Sequence, residues 1–235
     1  MSIDILYEDN HLLAVVKPPG IPSQEDETGD ADMLTLLKAD LKERHNKPGN
    51  VFLGLVHRLD RPVGGAMLFA KTSKAASRLS EAIRSRSFGK TYLCVVQGVP
   101  ARQSARLTHY IRKDNKRNQV TVFDRPTDDA KEAILTFSVA AAMDRYSLVA
   151  VQLHTGRPHQ IRAQMAHIGH PLVADLKYGA AKLTGISDIA LWSTSVSLSH
   201  PVSKETLVFR SVPGGAAPWT WWPADDLEAA SKHFT

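Results

Sequence analysis

The sequence predicts an α+β fold built on a mixed, mostly antiparallel sheet with flanking helices. Three observations predict it. Apolar runs of strand length outnumber helical patterns. The runs follow one another without the regular helix alternation of a doubly wound parallel sheet. Short turn signals such as Asp9-Asn10 separate neighbouring runs. The background composition is globular: 235 residues, 43% hydrophobic and 23% charged, with 14 Gly and 13 Pro. That composition sets aside disorder, collagen-like repeats and a disulfide scaffold. No linker or internal repeat interrupts the chain, so residues 1–235 are read as one domain.

Each element follows in order. SIDILYED and HLLAVVKPPG form two short strands, the second closed by Lys17-Pro18-Pro19-Gly20. Residues 23–31 make a polar, acidic loop. Asp32 then caps a helix whose Met33, Leu37 and Leu41 recur at helical spacing. VFLGLV, residues 51–56, reads as a buried strand running into His57-Arg58-Leu59-Asp60. AMLFAK is a further strand, and TSKAASRLSEAIRSRS an amphipathic helix with Ala75, Leu79 and Ile83 on one face. TYLCVVQG is a strand, and residues 101–125 read as polar segments forming a long hairpin, part of residues 101–120 being a mobile loop. AILTFSVAA and YSLVAVQLH are strands with alternating apolar positions. GRPHQIRAQMAHIGHP carries the strongest helix punctuation in the chain, with Pro158 at the first helical position and Gly169 at the stop. IALWSTSVSL and ETLVFRSV are late strands, and Trp219, Trp221 and Trp222 mark a packed tail.

Charge is unevenly distributed. The formal net charge is +5, but residues 71–125 hold 13 Lys and Arg against 3 Asp and Glu, while residues 1–70 hold 7 against 11. Such a basic block suits a nucleic-acid backbone; a solvated surface is the other reading. Cys94 is the only cysteine, so no internal disulfide can form and a reducing, cytoplasmic setting is expected. No apolar stretch approaches the length of a membrane span.

Two constellations carry chemistry. In His57-Arg58-Leu59-Asp60-Arg61, a carboxylate lies between two arginines at a strand end. That arrangement suits nucleophilic or acid–base work; a turn-capping Asp is the alternative. In His154-Thr155-Gly156-Arg157-Pro158-His159-Gln160-Ile161-Arg162, a Gly turn feeds a helix N-terminus suited to a phosphate. His159 and Arg162, three apart, share a helix face. His154, His159, His167 and His170 match no zinc spacing. Tyr92, after Lys90-Thr91, is a core residue or a stacking face for a base.

Together, VHRLDRPVGGAMLFAKT, GKTYLCVVQG, LHTGRPHQIRAQMAHIGHPLVADLKYG and HPVSKETLVF resemble the RluA-type family of RNA pseudouridine synthases, in order from about residue 3 to residue 211. The resemblance implies a pseudouridine synthase fold with a central catalytic cleft, no cofactor or metal, and RNA as partner. It implies that the chain isomerises specific uridines in ribosomal or transfer RNA. Asp60 matches the family's catalytic aspartate, and Arg162 the arginine paired with it. Tyr92 matches the tyrosine packed on the uracil ring, and Arg58 the arginine that enters the RNA stack as the target nucleotide leaves. His57, Arg61, Lys90, Arg112, Lys113, Lys116, Arg117, Arg157 and His159 are read as RNA contacts along the basic track. An RNA-binding protein of the same fold with dispensable catalysis is the alternative.

The sequence departs from the family pattern in two places. Many members carry Thr-Ser-Gly where Val63-Gly64-Gly65 stands here, and Gly64 is expected to loosen the turn. Many carry an N-terminal RNA-binding domain, whereas this chain opens directly on the catalytic-domain strand. Recognition is therefore expected to rest on that domain, with no obligate protein partner.

Overall fold

The computed structural model describes residues 3–114 and 116–234. In chain order its elements are β1 (Ile5–Glu8), β2 (Leu12–Lys17), α1 (Met33–Arg44), β3 (Gly54–Leu55), β4 (Gly64–Ala70), α2 (Ser73–Arg84), β5 (Gly89–Gln97), β6 (Ser104–Asp114), β7 (Gln119–Phe123), β8 (Lys131–Met143), β9 (Tyr146–Leu153), α3 (Gln160–His167), β10 (Leu191–Ser199), β11 (Thr206–Arg210) and α4 (Ala224–Ser231). The fold is α+β, and the strand pairs within each unit described below are antiparallel. No helix among the described residues is long and apolar enough to cross a membrane.

The chain divides into two compact units, residues 1–88 with 195–211, and residues 89–194 with 212–235; the sequence reading of one domain spans both. In the first unit β1 pairs with β2, β2 with β4, β3 with β4, and the end of β10 with β11. Leu12, Ala14, Ala66 and Leu68 from the strands meet Ala75 and Leu79 of α2 and Val196, Leu198 and Phe209 in one core. Asp32 caps α1 as expected, its carboxylate accepting from the amides of Leu34 and Thr35 at 2.9 and 3.1 Å. Thr72 caps α2 through the Ala75 amide at 3.1 Å. Both caps satisfy amides that the first helical turn leaves without partners.

The strand expected over residues 51–56 shrinks to Gly54–Leu55. Leu53 is buried without belonging to a strand. A short apolar run can reach the interior by packing alone, and its hydrophobicity does not create a pairing partner.

In the second unit the strand path is β5-β9-β8-β6-β7. Leu93, Val95, Leu148 and Ala150 pack with Trp219, Trp222 and Leu227, so the tryptophan tail is packed as expected. The helix α4 that follows it is an addition to the expected elements. Cys94 is fully buried, and burial pushes its thiol pKa up; it behaves as a small apolar side chain. Residues 101–125 are more regular than expected. Tyr110 through Asp114 pair with Phe123 through Gln119, leaving residues 101–103, 116–118 and 124–125 as the described non-strand parts; Asn115 lies outside the described residues.

The helix predicted from Pro158 begins two residues later, at Gln160. His159 stands in the left-handed region, φ 50°, and a helical run cannot pass through that conformation. Gly169, φ 88°, closes the helix as predicted.

Candidate active site

The first unit holds the Asp60 loop. The backbone turns at Asp60–Val63, where the Val63 amide donates to Asp60 O at 2.9 Å. Both flanks of Asp60 are tied down. On one side Ser23 Oγ donates to Leu59 O at 2.8 Å and accepts from the Leu59 amide at 3.1 Å. On the other, Lys17 Nζ donates to Val63 O at 2.8 Å, Arg61 O at 3.1 Å and Pro18 O at 3.0 Å. The Gly20 amide also reaches Arg61 O at 2.9 Å, from a φ of 86° that suits glycine. Leu59 and Val63 are buried while Asp60 is half-buried. The loop thus anchors its apolar neighbours and presents one carboxylate.

Lys17 is the residue sequence reasoning missed. It is completely buried at the end of β2. Burial pulls its pKa down to about 7, the Asp60 carboxylate pulls it up and Arg61 lowers it further. Three carbonyl acceptors call for three N–H donors, which only the ammonium supplies. The one legible signal was Lys17-Pro18-Pro19-Gly20, which by itself marks only a strand end.

The other first-unit candidates separate. Arg58 is exposed. His57 Nε2 accepts from the Leu68 amide at 2.9 Å, and its ring lies 5.3 Å from Phe88, so the ring is docked on β4. Arg61 faces the acidic loop, donating to Gly20 O and Thr28 Oγ1 at 3.0 Å each and pairing with Asp30. Gly64 lies after the turn. It is the buried first residue of β4, and Gly65 sits in register with Lys17. Val63 is buried, and its carbonyl is the shortest of the three bonds to Lys17.

The second unit holds Tyr92 and the GRPHQIR segment. Tyr92 is buried on β5, opposite Val151 of β9. Lys90, two residues earlier, has its pKa lowered by burial. A β-carbon at Gly156 would stand 2.9 Å from Lys90 Nζ, so the glycine makes room for that ammonium. The Gln160 side chain closes the turn before α3. Its Oε1 accepts from Thr155 Oγ1 at 2.8 Å and from the Arg157 amide at 3.0 Å. Arg157 Nε donates to Glu132 O at 2.8 Å.

Arg162 is buried on α3 and grips Asp175 with two bonds, Nε to Oδ2 at 2.7 Å and Nη2 to Oδ1 at 2.9 Å. Its guanidinium also lies 5.2 Å over the Tyr178 ring. The Tyr178 hydroxyl accepts from the Val120 amide at 3.1 Å and stands 2.7 Å from His159 Nδ1. The segment 175–178 therefore orients both Arg162 and His159. Asp175 and Tyr178 lie inside a motif block, but nothing in their spacing assigns them a partner.

Three of the basic candidates, Arg112, Lys113 and Arg157, line one cleft of about 400 Å³ together with Lys131 and Asp129. Arg112 stacks 5.0 Å over Phe123. Lys116 and Arg117 are exposed at the hairpin tip, where both amides donate to Asp114 Oδ1 at 2.9 and 3.1 Å. Lys131 joins the group from β8; sequence reasoning omitted it because it lies outside the basic block.

Comparison with known proteins shows what the chain resembles. Residues 11–167 match the family described as RNA pseudouridylate synthase. "Uncharacterized RNA pseudouridine synthase YhcT" of Bacillus subtilis (strain 168) is 33% identical over 236 residues, covering 100% of this chain and 73% of that protein. The "tRNA pseudouridine synthase C" of Haemophilus ducreyi is 30% identical, covering 90% of this chain and 91% of the relative. The solved structure of "Human RNA Pseudouridylate Synthase Domain Containing 4" superposes with a TM-score of 0.76 at 20% identity, covering 97% of this chain and 93% of that one. That structure corroborates the fold, and the family match takes in Asp60, Tyr92 and Arg162. This chain belongs to the RNA pseudouridylate synthase family, the isomerases that convert uridine to pseudouridine in RNA.

Proposed function

We propose that the protein converts a specific uridine in a transfer or ribosomal RNA stem-loop to pseudouridine, with Asp60 as the catalytic carboxylate. The observation that carries this reading is the Asp60 loop: a half-buried carboxylate whose backbone is fastened on both sides, by Ser23 at Leu59 and by Lys17 at Arg61 and Val63. A reacting group held this rigidly needs little reorganisation when substrate arrives. The name of the Haemophilus ducreyi relative supports a transfer RNA, and ribosomal RNA is the other class the family resemblance implies.

The reaction breaks the uridine N1–C1′ bond, turns the uracil and rejoins it through C5. No atom is gained or lost. An ionised carboxylate serves either as nucleophile toward the sugar or as base for a sugar proton. The target must first leave its stack, at a cost of a few kcal/mol that a loop reduces. In this reading exposed Arg58 fills the gap, Tyr92 packs on the uracil, and Arg162 serves the Asp60 carboxylate. Lys90, Arg112, Lys113, Lys116, Arg117, Arg157 and His159 meet the RNA, with His57 and Arg61 shaping the loop beside it. The setting is cytoplasmic, with no obligate protein partner.

The test is complementation. Total RNA from a strain lacking the gene is incubated with wild type or with Asp60→Ala, and pseudouridine is mapped. Restoration by wild type alone is expected. Equal restoration by both would overturn the assignment of Asp60, and restoration by neither would favour an RNA-binding protein with dispensable catalysis.

A further inference from the structure

We propose that His109, Asp124 and His167 bind a divalent transition-metal ion of the zinc class, fastening the C-terminal end of α3 to the β6–β7 hairpin. The three residues come from β6, from the position after β7, and from the last residue of α3. Their donor atoms all lie within 4.8 Å of one another. His167 Nε2 is 2.8 Å and His109 Nε2 3.8 Å from the same Asp124 Oδ1. Tetrahedral zinc with bonds near 2.0–2.1 Å sets its ligand atoms roughly 3.4 Å apart. The observed separations bracket that edge, so small side-chain rotations seat the ion. Two imidazoles and one carboxylate, with water completing the shell, suit Zn²⁺, Co²⁺ or Ni²⁺ better than Mg²⁺ or Ca²⁺, which prefer all-oxygen shells.

The Gln164 side chain bears on the same ligand. Gln164, fully buried on α3, stands beside the His109 ring. Its Nε2 is 3.0 Å from His109 Nδ1 and 3.1 Å from Ala133 O. Its Oε1 is buried and has no hydrogen-bond partner. A metal on His109 Nε2 requires the ring proton to sit on Nδ1, and that N–H needs an acceptor. A half-turn of the Gln164 amide would offer Oε1 to it in exchange for the bond from Nε2 to Ala133 O, a cost set against the affinity for the ion.

Arg125 lies close enough to act on Asp124 and opposes a cation, which makes for a moderate affinity. The ion would sit at the surface, with Asp124 and His167 exposed and His109 buried.

The test uses tag-free full-length protein titrated with Co²⁺ and then Zn²⁺. The expected result is one Co²⁺ per chain with the visible absorption of a nitrogen- and oxygen-ligated ion, displaced by Zn²⁺. His167→Ala and Asp124→Asn, both at exposed positions, should each weaken binding at least tenfold while leaving the far-ultraviolet circular dichroism unchanged. No Co²⁺ spectrum at millimolar metal, or equal binding by both variants, would overturn the site. The readout involves no turnover, so it stands or falls separately from the catalytic reading.

Discussion

Arg162 and Asp175 form a bidentate ion pair in the interior of the second unit, with side chains 5% and 1% exposed. The aspartate lies 13 residues beyond the arginine, outside α3. This pair fixes where the guanidinium sits, and the Tyr178 ring beside it limits how it can tilt.

Asp175→Ala should therefore destabilise the protein by about 3–5 kcal/mol, because it leaves a buried guanidinium without this carboxylate. Asp40→Ala, which breaks the exposed Arg44–Asp40 pair on α1, should cost no more than about 1 kcal/mol. Urea denaturation of the two variants measures the difference. Equal costs would mean that water or another carboxylate compensates Arg162.

Lys17→Met keeps the bulk of the side chain but removes the ammonium donor from the carbonyls of Pro18, Arg61 and Val63, of which Arg61 O keeps the Gly20 amide. The Asp60 loop should shift, and a displacement of about 1 Å can cost roughly a hundredfold in rate. Turnover should fall to that extent while RNA affinity, measured by filter binding, stays within about threefold. Wild-type turnover would show that the loop holds its shape without the ammonium.

The same lysine gives a pH signature. Burial brings its pKa to about 7 in the folded chain, against 10.5 ordinarily. Below pH 7 the amine is protonated in both states, and the cost of burying the charge is fully present. Between about 7 and 10.5 the unfolded chain binds more protons, so stability rises with pH across that window. The unfolding free energy of wild type minus that of Lys17→Met should climb from pH 7 to pH 10. A flat difference would indicate an ammonium titrating near its ordinary value.

Gly156→Ala places a methyl group 2.9 Å from Lys90 Nζ. The ammonium sits at the end of a flexible chain and can swing away, so stability should change by no more than about 0.5 kcal/mol. Turnover should nevertheless drop to the level of Lys90→Ala if the lysine's position matters to RNA. Full activity in Gly156→Ala beside a defective Lys90→Ala would show that any position of the charge suffices.

Lys113→Ala combined with Lys116→Ala should weaken RNA binding and reduce the slope of log affinity against log salt. The reduction should be about 0.7–0.9 for each phosphate that the variant no longer neutralises. An unchanged slope would place the hairpin away from the RNA.

Most strand segments and the two motif blocks are legible in the sequence because each is contiguous, with the apolar period or turn chemistry inside a few residues. The start of α3 is not, because Pro158 is a strong start signal, while the left-handed His159 reflects its contact with Tyr178, 19 residues away. Lys17, Asp175 and Tyr178 are invisible for the same reason. Their roles arise from partners 44, 13 and 58 residues distant, at Arg61, Arg162 and Val120. Arg61 shows the converse: its position beside Asp60 suggests a role in electrostatics there, but its side chain turns to the acidic loop.

The division of the chain has a further consequence, for synthesis. The first unit is interrupted by residues 89–194 and completed only by residues 195–211. Its core lacks Val196, Leu198 and Phe209 until those residues are made. At about 5–20 residues per second, the ribosome needs about 5–20 s to cross the gap. Throughout that interval Leu12, Ala14 and Leu68 on β2 and β4 await part of their covering. The second unit can pair its strands β5 to β9 meanwhile, but its core in turn waits for Trp219, Trp222 and Leu227, which are made last.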